Sequence, residues 1–309
     1  MENNYAIYNK KRYALCFFIS FLCFLSPVNA DLTGMQQKHQ ELKDSLLNNV
    51  FALPVYIESK SEKKSQYGDI YGIIYHPYNT IKSVLTSPAN WCDIVPQHIN
   101  IKACTYQHQN NHCQLTFYSG RKYYKKPKDT YKLEYAYSIT LQQDNYFHSL
   151  LDAKDGPLGT NNYKIFVEAI PIDERSTFIH FGYSYNQGFW ARVAMKTYLS
   201  TLGRNKVGFT IIGTSKKNNP VYIGGIRGVI ERNVIRYYLA IQSYLDNLNV
   251  EHDKQFLART NNWFDLTEKY HKQLYEMNKQ DYLQYKQAER INQLRLQKEL
   301  TIGSAECRR

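Results

Sequence analysis

Tyrosine side chains recur at alternate positions along several stretches of the chain. In TYKLEYAYSITL (130–141), Tyr135 and Tyr137 fall on the apolar side of the alternation, as do Tyr183 and Tyr185 in STFIHFGYSY. A period of two is typical of a strand that buries one face, and a buried phenol needs a partner for its hydroxyl. These four tyrosines therefore form either ordinary core or the lining of a partly polar cavity, where their hydroxyls orient a ligand head group.

Two further candidate ligand-binding residues lie in GFWARVAMKTYLSTLG (188–203), which has the apolar spacing of a helix. Trp190 lies on the apolar stripe, and Arg192 stands two residues away from it. Arg192 is either a solvated surface residue or a cation at the mouth of the cavity, where it would meet a carboxylate or phosphate.

Motifs for catalysis and metal binding are weak. GYSYN lacks the second glycine of a G-x-S-x-G nucleophile elbow. A spacing close to that of zinc ligands is found at His108, His112 and Cys113, but the sequence offers no matching fourth ligand. We predict no metal site and no cofactor. An enzyme would need an acid–base pair inside the cavity, such as His148 or His180 beside a carboxylate.

The first thirty residues have the pattern of a secretory signal peptide. Basic residues (10–12) precede an apolar run from about 13 to 25, and the stretch closes with PVNA before Asp31. The run is too short to cross a bilayer comfortably. We expect cleavage after Ala30 and secretion across the inner membrane to the periplasm.

The chain is basic, with 39 Lys+Arg against 27 Asp+Glu and a net charge of +12. Such a balance suits nucleic acid or anionic lipid. Because export removes nucleic acid as a partner, the basic charge indicates either peripheral contact with an anionic membrane or simply a soluble surface.

Four cysteines remain outside the signal segment, and an oxidising compartment favours disulfides. A Cys92–Cys104 bond is the favoured pairing. The rival is Cys104–Cys113 across a hairpin, which is less favoured because cross-strand disulfide geometry is more strained. Cys307, in a charged tail, is expected to stay unpaired.

The order of predicted elements defines the architecture. A polar helix (31–50) precedes a strand pair, two short helical turns and a six-strand antiparallel meander. The helix at 189–202 is predicted to pack on the buried, apolar face of the sheet. A hairpin and a long helix (226–248) follow, and the charges of ERNVIRYY within that helix are expected to pair with one another.

The stretches YGIIYHPYNTIKSVLTSPANW and FIHFGYSY…WARVAMKTYL, in this order of elements, resemble the START/Bet v 1-like (SRPBCC) helix-grip superfamily of lipid-transfer proteins and polyketide cyclases. The resemblance covers about residues 53–205. It implies an α+β fold in which a curved antiparallel sheet and a helix enclose a cavity for an apolar ligand. The implied organisation is a ligand-binding domain (51–248) followed by a helical C-terminal extension (249–309).

We therefore predict an exported bacterial binder or carrier of a hydrophobic or amphipathic small molecule, with a lipid as the expected class. Two alternatives remain open. One is a cyclase- or hydrolase-like enzyme on the same fold, and the other is a structural envelope protein that binds a protein partner through residues 250–300.

Overall fold

The computed structural model describes residues 32–49, 51–109, 112–201 and 203–303. The predicted signal peptide (1–30) and Cys307 lie outside these residues, so the predictions made for them are not tested here.

The centre of the fold is a curved antiparallel sheet that has eight strands in the described part of the chain, in the order β1-β2-β8-β7-β6-β5-β4-β3. Its strands are β1 (Val55–Ser61), β2 (Ser65–Ile74), β3 (Ile101–Gln109), β4 (His112–Ser119), β5 (Tyr131–Gln142), β6 (Phe147–Asp155), β7 (Thr160–Pro171) and β8 (Thr177–Gln187). Strands β3 to β8 are the predicted meander. The short hairpin of β9 (Ile211–Thr214) and β10 (Pro220–Tyr222) stands apart from this sheet.

Helices cover both faces and one edge of the sheet. They are α1 (Leu32–Leu47), α2 (Tyr78–Leu85), α3 (Pro88–Ile94), α4 (Phe189–Ser200), α5 (Gly225–Asp246), α6 (His252–Glu268), α7 (His271–Leu274) and α8 (Lys279–Gly303). The α+β fold with a curved antiparallel sheet that the sequence predicts is confirmed.

The two faces of the sheet carry different cores because side chains alternate along each strand. On β8, Ile179 and Phe181 belong to the main core beneath α2, α3 and α5, and we call this the inner face. Phe178 belongs to a smaller core with α1 residues such as Met35 and Leu42 on the opposite, outer face.

The helix that covers the inner face is α5, so the prediction that residues 189–202 provide this cover is wrong. Fifteen residues of α5 are buried. The close approach depends on Gly68 and Gly72 of β2, where an added Cβ would lie 2.3 Å from Ile230 and 2.4 Å from the Tyr238 hydroxyl. A side chain at either glycine would push α5 off the sheet.

Helix α4 lies at the end of the sheet and is largely exposed. Phe189 and Val193 are 63% and 43% exposed. The Gly188 amide, directly before the helix, donates to the Gly159 carbonyl at 3.1 Å. The exposed side chain of Val193, on the apolar stripe of this segment, therefore does not lie on the sheet face.

The charges of α5 reach well beyond their own helix. Glu231 is fully buried and accepts hydrogen bonds from the amides of Phe209 (2.6 Å) and Thr210 (2.9 Å) and from the Ser59 hydroxyl (2.6 Å). Arg236 donates to the Leu274 carbonyl at 3.1 Å. These groups anchor distant segments, because a buried charge has to be compensated wherever a partner is available.

The predicted Cys92–Cys104 disulfide is confirmed and joins α3 to β3. The rival pairing of Cys104 with Cys113 is thereby excluded. Cys113 is also disulfide-bonded.

Helix α8 closes the edge of the sheet along β3. The Gln293 side chain accepts from the Cys104 amide (2.9 Å) and donates to the Cys92 carbonyl (2.8 Å). One helical turn later, Gln297 accepts from the Tyr106 amide and donates to its carbonyl, both at 2.9 Å. Four residues advance about 6 Å along a helix, and the outward backbone groups of a strand recur every two residues, about 6.6 Å apart. Glutamines four residues apart on α8 can therefore bond successive outward groups of β3.

We expect Gln293→Met to lower the free energy of unfolding by about 2 kcal/mol. The substitution keeps the side-chain size but leaves a buried amide and carbonyl without their partner, at about 1–3 kcal/mol for each unsatisfied group. Urea denaturation measures the change, and Gln287→Met on the exposed side of α8 is the matched control. Equal stability of the two variants would contradict the assigned role of Gln293.

Candidate ligand-binding site

The predicted tyrosines lie together on the inner face of the sheet. Tyr135, Tyr137 and Tyr185 are buried, and Tyr183 is half-buried. Tyr135 packs on Phe117 of the neighbouring strand, with ring centroids 4.6 Å apart. The alternation in the sequence therefore assigned all four side chains to one face.

Two tyrosines that the sequence prediction did not include complete the group. Tyr163 of β7 stacks on Tyr185 at 5.2 Å, and Tyr237 of α5 lies 6.2 Å from Tyr183. Tyr163 alternates with Ile165 and Val167, and Tyr237 is on the apolar stripe of its helix, so both signals were present in the sequence. We call Tyr135, Tyr163, Tyr183, Tyr185 and Tyr237 the tyrosine cluster.

The hydroxyls of the cluster differ in their hydrogen bonds. Tyr163 donates to the Thr160 hydroxyl at 2.8 Å, and the Tyr185 hydroxyl accepts from the Gln187 side chain at 3.1 Å. Within the described residues, the hydroxyls of three members have no hydrogen-bond partner: Tyr135, Tyr183 and Tyr237. The three hydroxyl oxygens retain some accessible surface, so a water or ligand oxygen that reaches them would accept their hydrogen bonds.

All five phenols are neutral at physiological pH. Burial raises the pKa of Tyr185 to about 12 and raises the pKa of Tyr135 well above its usual value. The pKa of Tyr183 is also raised well above the usual value, first by burial and then by the four other phenols. The cluster therefore presents hydrogen-bond donors within an apolar surround.

The remaining candidate residues lie elsewhere. The Tyr137 hydroxyl is 3.5 Å from the Leu85 carbonyl, toward α2. Arg192 is exposed and donates to the Lys63 carbonyl at 3.0 Å, in the turn between β1 and β2. Trp190 is part of α4, but its side chain is outside the described part of the structure.

A second polar group occupies the outer face. The buried His180 ring contacts a Glu168 carboxylate oxygen at 2.8 Å through Nδ1 and an Asp69 oxygen at 3.0 Å through Nε2. Tyr146 donates to the other Glu168 oxygen at 2.6 Å, and the Tyr71 ring stacks on His180 at 4.0 Å. Burial alone would lower the pKa of His180, but the hydrogen bonds to Asp69 and Glu168 outweigh it and raise that pKa.

The expectation of an acid–base pair inside the cavity is not met by these histidines. His180 does have carboxylate partners, but it lies on the face opposite the tyrosine cluster, and both of its ring nitrogens are occupied. His148 lies on the same outer face, 5.5 Å from the Phe166 ring. The His180 group is therefore a buried ionic network that joins β2, β7 and β8.

No group of three or more His, Cys, Asp or Glu side chains in the described residues could hold a metal ion. No described helix is both long and apolar enough to cross a membrane.

We expect His180 to stabilise the fold most below pH 6.5. Its pKa is higher in the folded than in the unfolded state, so its contribution is complete below the unfolded value and is lost as pH rises through the folded value. His180→Gln should cost about 3 kcal/mol at pH 6, because it leaves the buried Glu168 and the partly exposed Asp69 without their cation. The difference from the wild type should shrink toward pH 9.

Urea denaturation at several pH values checks this prediction. His252→Gln is the matched control, because His252 is exposed. A His180→Gln deficit that stays constant from pH 6 to 9 would show that the imidazolium is not the stabilising species.

No family model matches the chain. No curated protein matches it either.

Among solved structures, a conserved protein from Geobacillus kaustophilus has a TM-score of 0.35 and 11% identity, over 58% of this chain and 95% of that one. Truncated norcoclaurine synthase from Thalictrum flavum has a TM-score of 0.31 and 12% identity, over 47% and 91%. The Zhui aromatase/cyclase from Streptomyces sp. R1128 has a TM-score of 0.32 and 8% identity, over 67% and 94%. Similarities this low say nothing about what the chain binds.

Proposed function

We propose that this protein binds an amphipathic small molecule at the tyrosine cluster, as a carrier rather than an enzyme. The observation that carries the proposal is the group of hydroxyls on Tyr135, Tyr183 and Tyr237, which lack partners among the described residues. A ligand with oxygen acceptors would satisfy them.

The chemistry of the cluster defines the ligand. Neutral phenols donate hydrogen bonds, so the polar end would be a carbonyl, ester or carboxylate group. The neighbouring core, including Phe117 and Phe181, is apolar and suits a hydrocarbon portion. Burial of a tail contributes about 0.8 kcal/mol per CH₂, so a lipid chain would supply most of the affinity and the phenols its orientation.

Membrane contact is part of the same proposal and concerns one end of the sheet. The loop and strand start at 120–132 hold six basic residues and one acidic residue, and Tyr123 and Tyr131 there are 57% and 52% exposed. Because the strands are antiparallel, this end also holds Leu158 and Phe189, each 63% exposed. Cations with exposed aromatic and apolar groups suit an anionic bilayer surface, and the cluster lies in the strand halves nearest this end.

Export and family membership belong to the proposal as well. The Cys92–Cys104 disulfide supports an oxidising compartment such as the periplasm. The helix gripped by an antiparallel sheet supports the START/Bet v 1-like resemblance, although here α5 rather than Trp190 and Arg192 of α4 would close the ligand site.

Replacing Tyr135, Tyr183 and Tyr237 together by Phe should weaken ligand binding without weakening the fold. Each lost hydrogen bond to the ligand costs about 0.5–1.5 kcal/mol, so affinity should fall at least tenfold. Stability should be unchanged, because these hydroxyls make no hydrogen bond within the described residues.

Native mass spectrometry of the purified protein, followed by lipid extraction, identifies the ligand and compares the variants. Tyr75→Phe, at an exposed tyrosine that follows the opposite end of β2, is the control. A wild type that carries no molecule and binds no fatty acid or phospholipid would contradict the proposal.

Neutralising Arg121, Lys126 and Lys128 to Ala should weaken binding to vesicles containing phosphatidylglycerol. A cation near an anionic surface contributes about 1 kcal/mol, so the loss should be roughly hundredfold. The control removes equal charge elsewhere, at the exposed Lys216, Lys217 and Lys298. Equal losses in both triple variants, measured by vesicle co-sedimentation, would rule out docking by this particular surface.

A further inference from the structure

The two edge strands of the large sheet differ in whether their outward backbone groups are hydrogen-bonded. Along β3, Gln293 accepts from the outward Cys104 amide, and Gln297 bonds both outward backbone groups of Tyr106. Strand β1 forms the other edge and pairs only with β2 in the described structure. An uncovered edge is a template for a further strand.

The register shows which backbone groups of β1 point outward. The Ile73 amide donates to the Pro54 carbonyl (3.0 Å), and the Glu62 amide donates to the Ser65 carbonyl (2.8 Å). Because hydrogen-bonding direction alternates along a strand, even-numbered residues face β2. The amides and carbonyls of Ile57, Ser59 and Ser61 therefore point away from the sheet and have no partner among the described residues.

Open space follows this edge. A groove of about 720 Å³ runs along residues 56–60. Tyr67 and Asp69 line it on the outer side, and Thr210 and Arg227 line it on the inner side. The Glu231 hydrogen bonds hold Thr210 in place, so the inner wall is fixed by the core of the protein.

We propose that β1 pairs antiparallel with β1 of a second copy of this chain, with Ser59 opposite Ser59. Hydrogen bonding requires odd-numbered residues to face odd-numbered residues. In this register Glu58 faces Lys60 of the second copy, and the two-fold axis repeats the pair. A shift of either strand by two residues would set Glu58 against Glu58 or Lys60 against Lys60, and like charges directly opposite are destabilising.

The charge pattern therefore selects a second copy and one register. Glu58 and Lys60 lie on the same face of β1, on either side of Ser59, as a self-complementary pair. In the single chain they contact only half-exposed or exposed partners, with Lys38 3.0 Å from Glu58 and Glu62 2.6 Å from Lys60. Ion pairs at the surface contribute little stability, so Glu58 and Lys60 can give up these pairs for cross-strand pairs with the second copy.

Sedimentation equilibrium of the purified protein over a wide concentration range tests this dimer. The wild type should dimerise, and Glu58→Lys should weaken dimerisation about tenfold, because two like-charge pairs replace two attractive ones. The double exchange Glu58→Lys/Lys60→Glu should restore it. Glu251→Lys makes the same charge change at an exposed site and is the control.

A proline variant tests the backbone contribution separately. Ser61→Pro removes one outward amide and leaves the bonds to β2 intact, so dimerisation should weaken while the urea midpoint stays the same. A wild type that remains monomeric at every concentration would overturn the proposal, as would a dimer that Glu58→Lys leaves intact or that the double exchange fails to restore. These readouts do not involve the ligand of the tyrosine cluster.

Discussion

The close contact of α5 with β2 is the constraint on which the rest of the molecule depends. Gly68 and Gly72 allow the helix to lie directly on the strand, with Ile230 and Tyr238 against the glycine positions. This position of α5 adds Tyr237 to the tyrosine cluster. It also buries Glu231, which holds residues 209–210 at the β1 groove, and Arg236, which reaches the C-terminal helices. One packing contact thus positions the candidate site, the groove and the C-terminal extension.

The C-terminal extension is explained by the edge of the sheet. An open sheet needs its edge strands covered or otherwise protected, and α8 covers β3 with glutamine side chains in place of another strand. The contact also buries charge. Lys286 donates to the His98 and Ile101 carbonyls at 3.0 and 2.9 Å, and Glu289 lies 3.0 Å from Lys102. Burial, followed by the nearby Lys286, lowers the pKa of Lys102 to about 8. Such compensated burial explains how a charged, glutamine-rich helix packs as part of the core.

Local patterns predicted what depends on local geometry. Alternation identified the meander and the shared face of the tyrosines, and it also separates His180 from Tyr183 and Tyr185, because even and odd positions of one strand face opposite ways. The cover helix was not predictable in this way, since residues 189–202 and 226–248 both have apolar stripes and a stripe does not specify which surface it meets. The hydrogen bonds of Gln293 and Gln297 to the edge strand were also not predictable, because their spacing is informative only when α8 is known to lie along β3.

An experimental structure of the protein, purified without removing lipid, tests the central proposal most directly. Electron density at the hydroxyls of Tyr135, Tyr183 and Tyr237 is the decisive observation. We predict density for a non-protein molecule whose oxygen atoms lie within hydrogen-bonding distance of these phenols and whose apolar part continues along the inner face. Rings packed into full contact, with every hydroxyl bonded to protein atoms and no space between sheet and α5, would contradict a ligand-binding role.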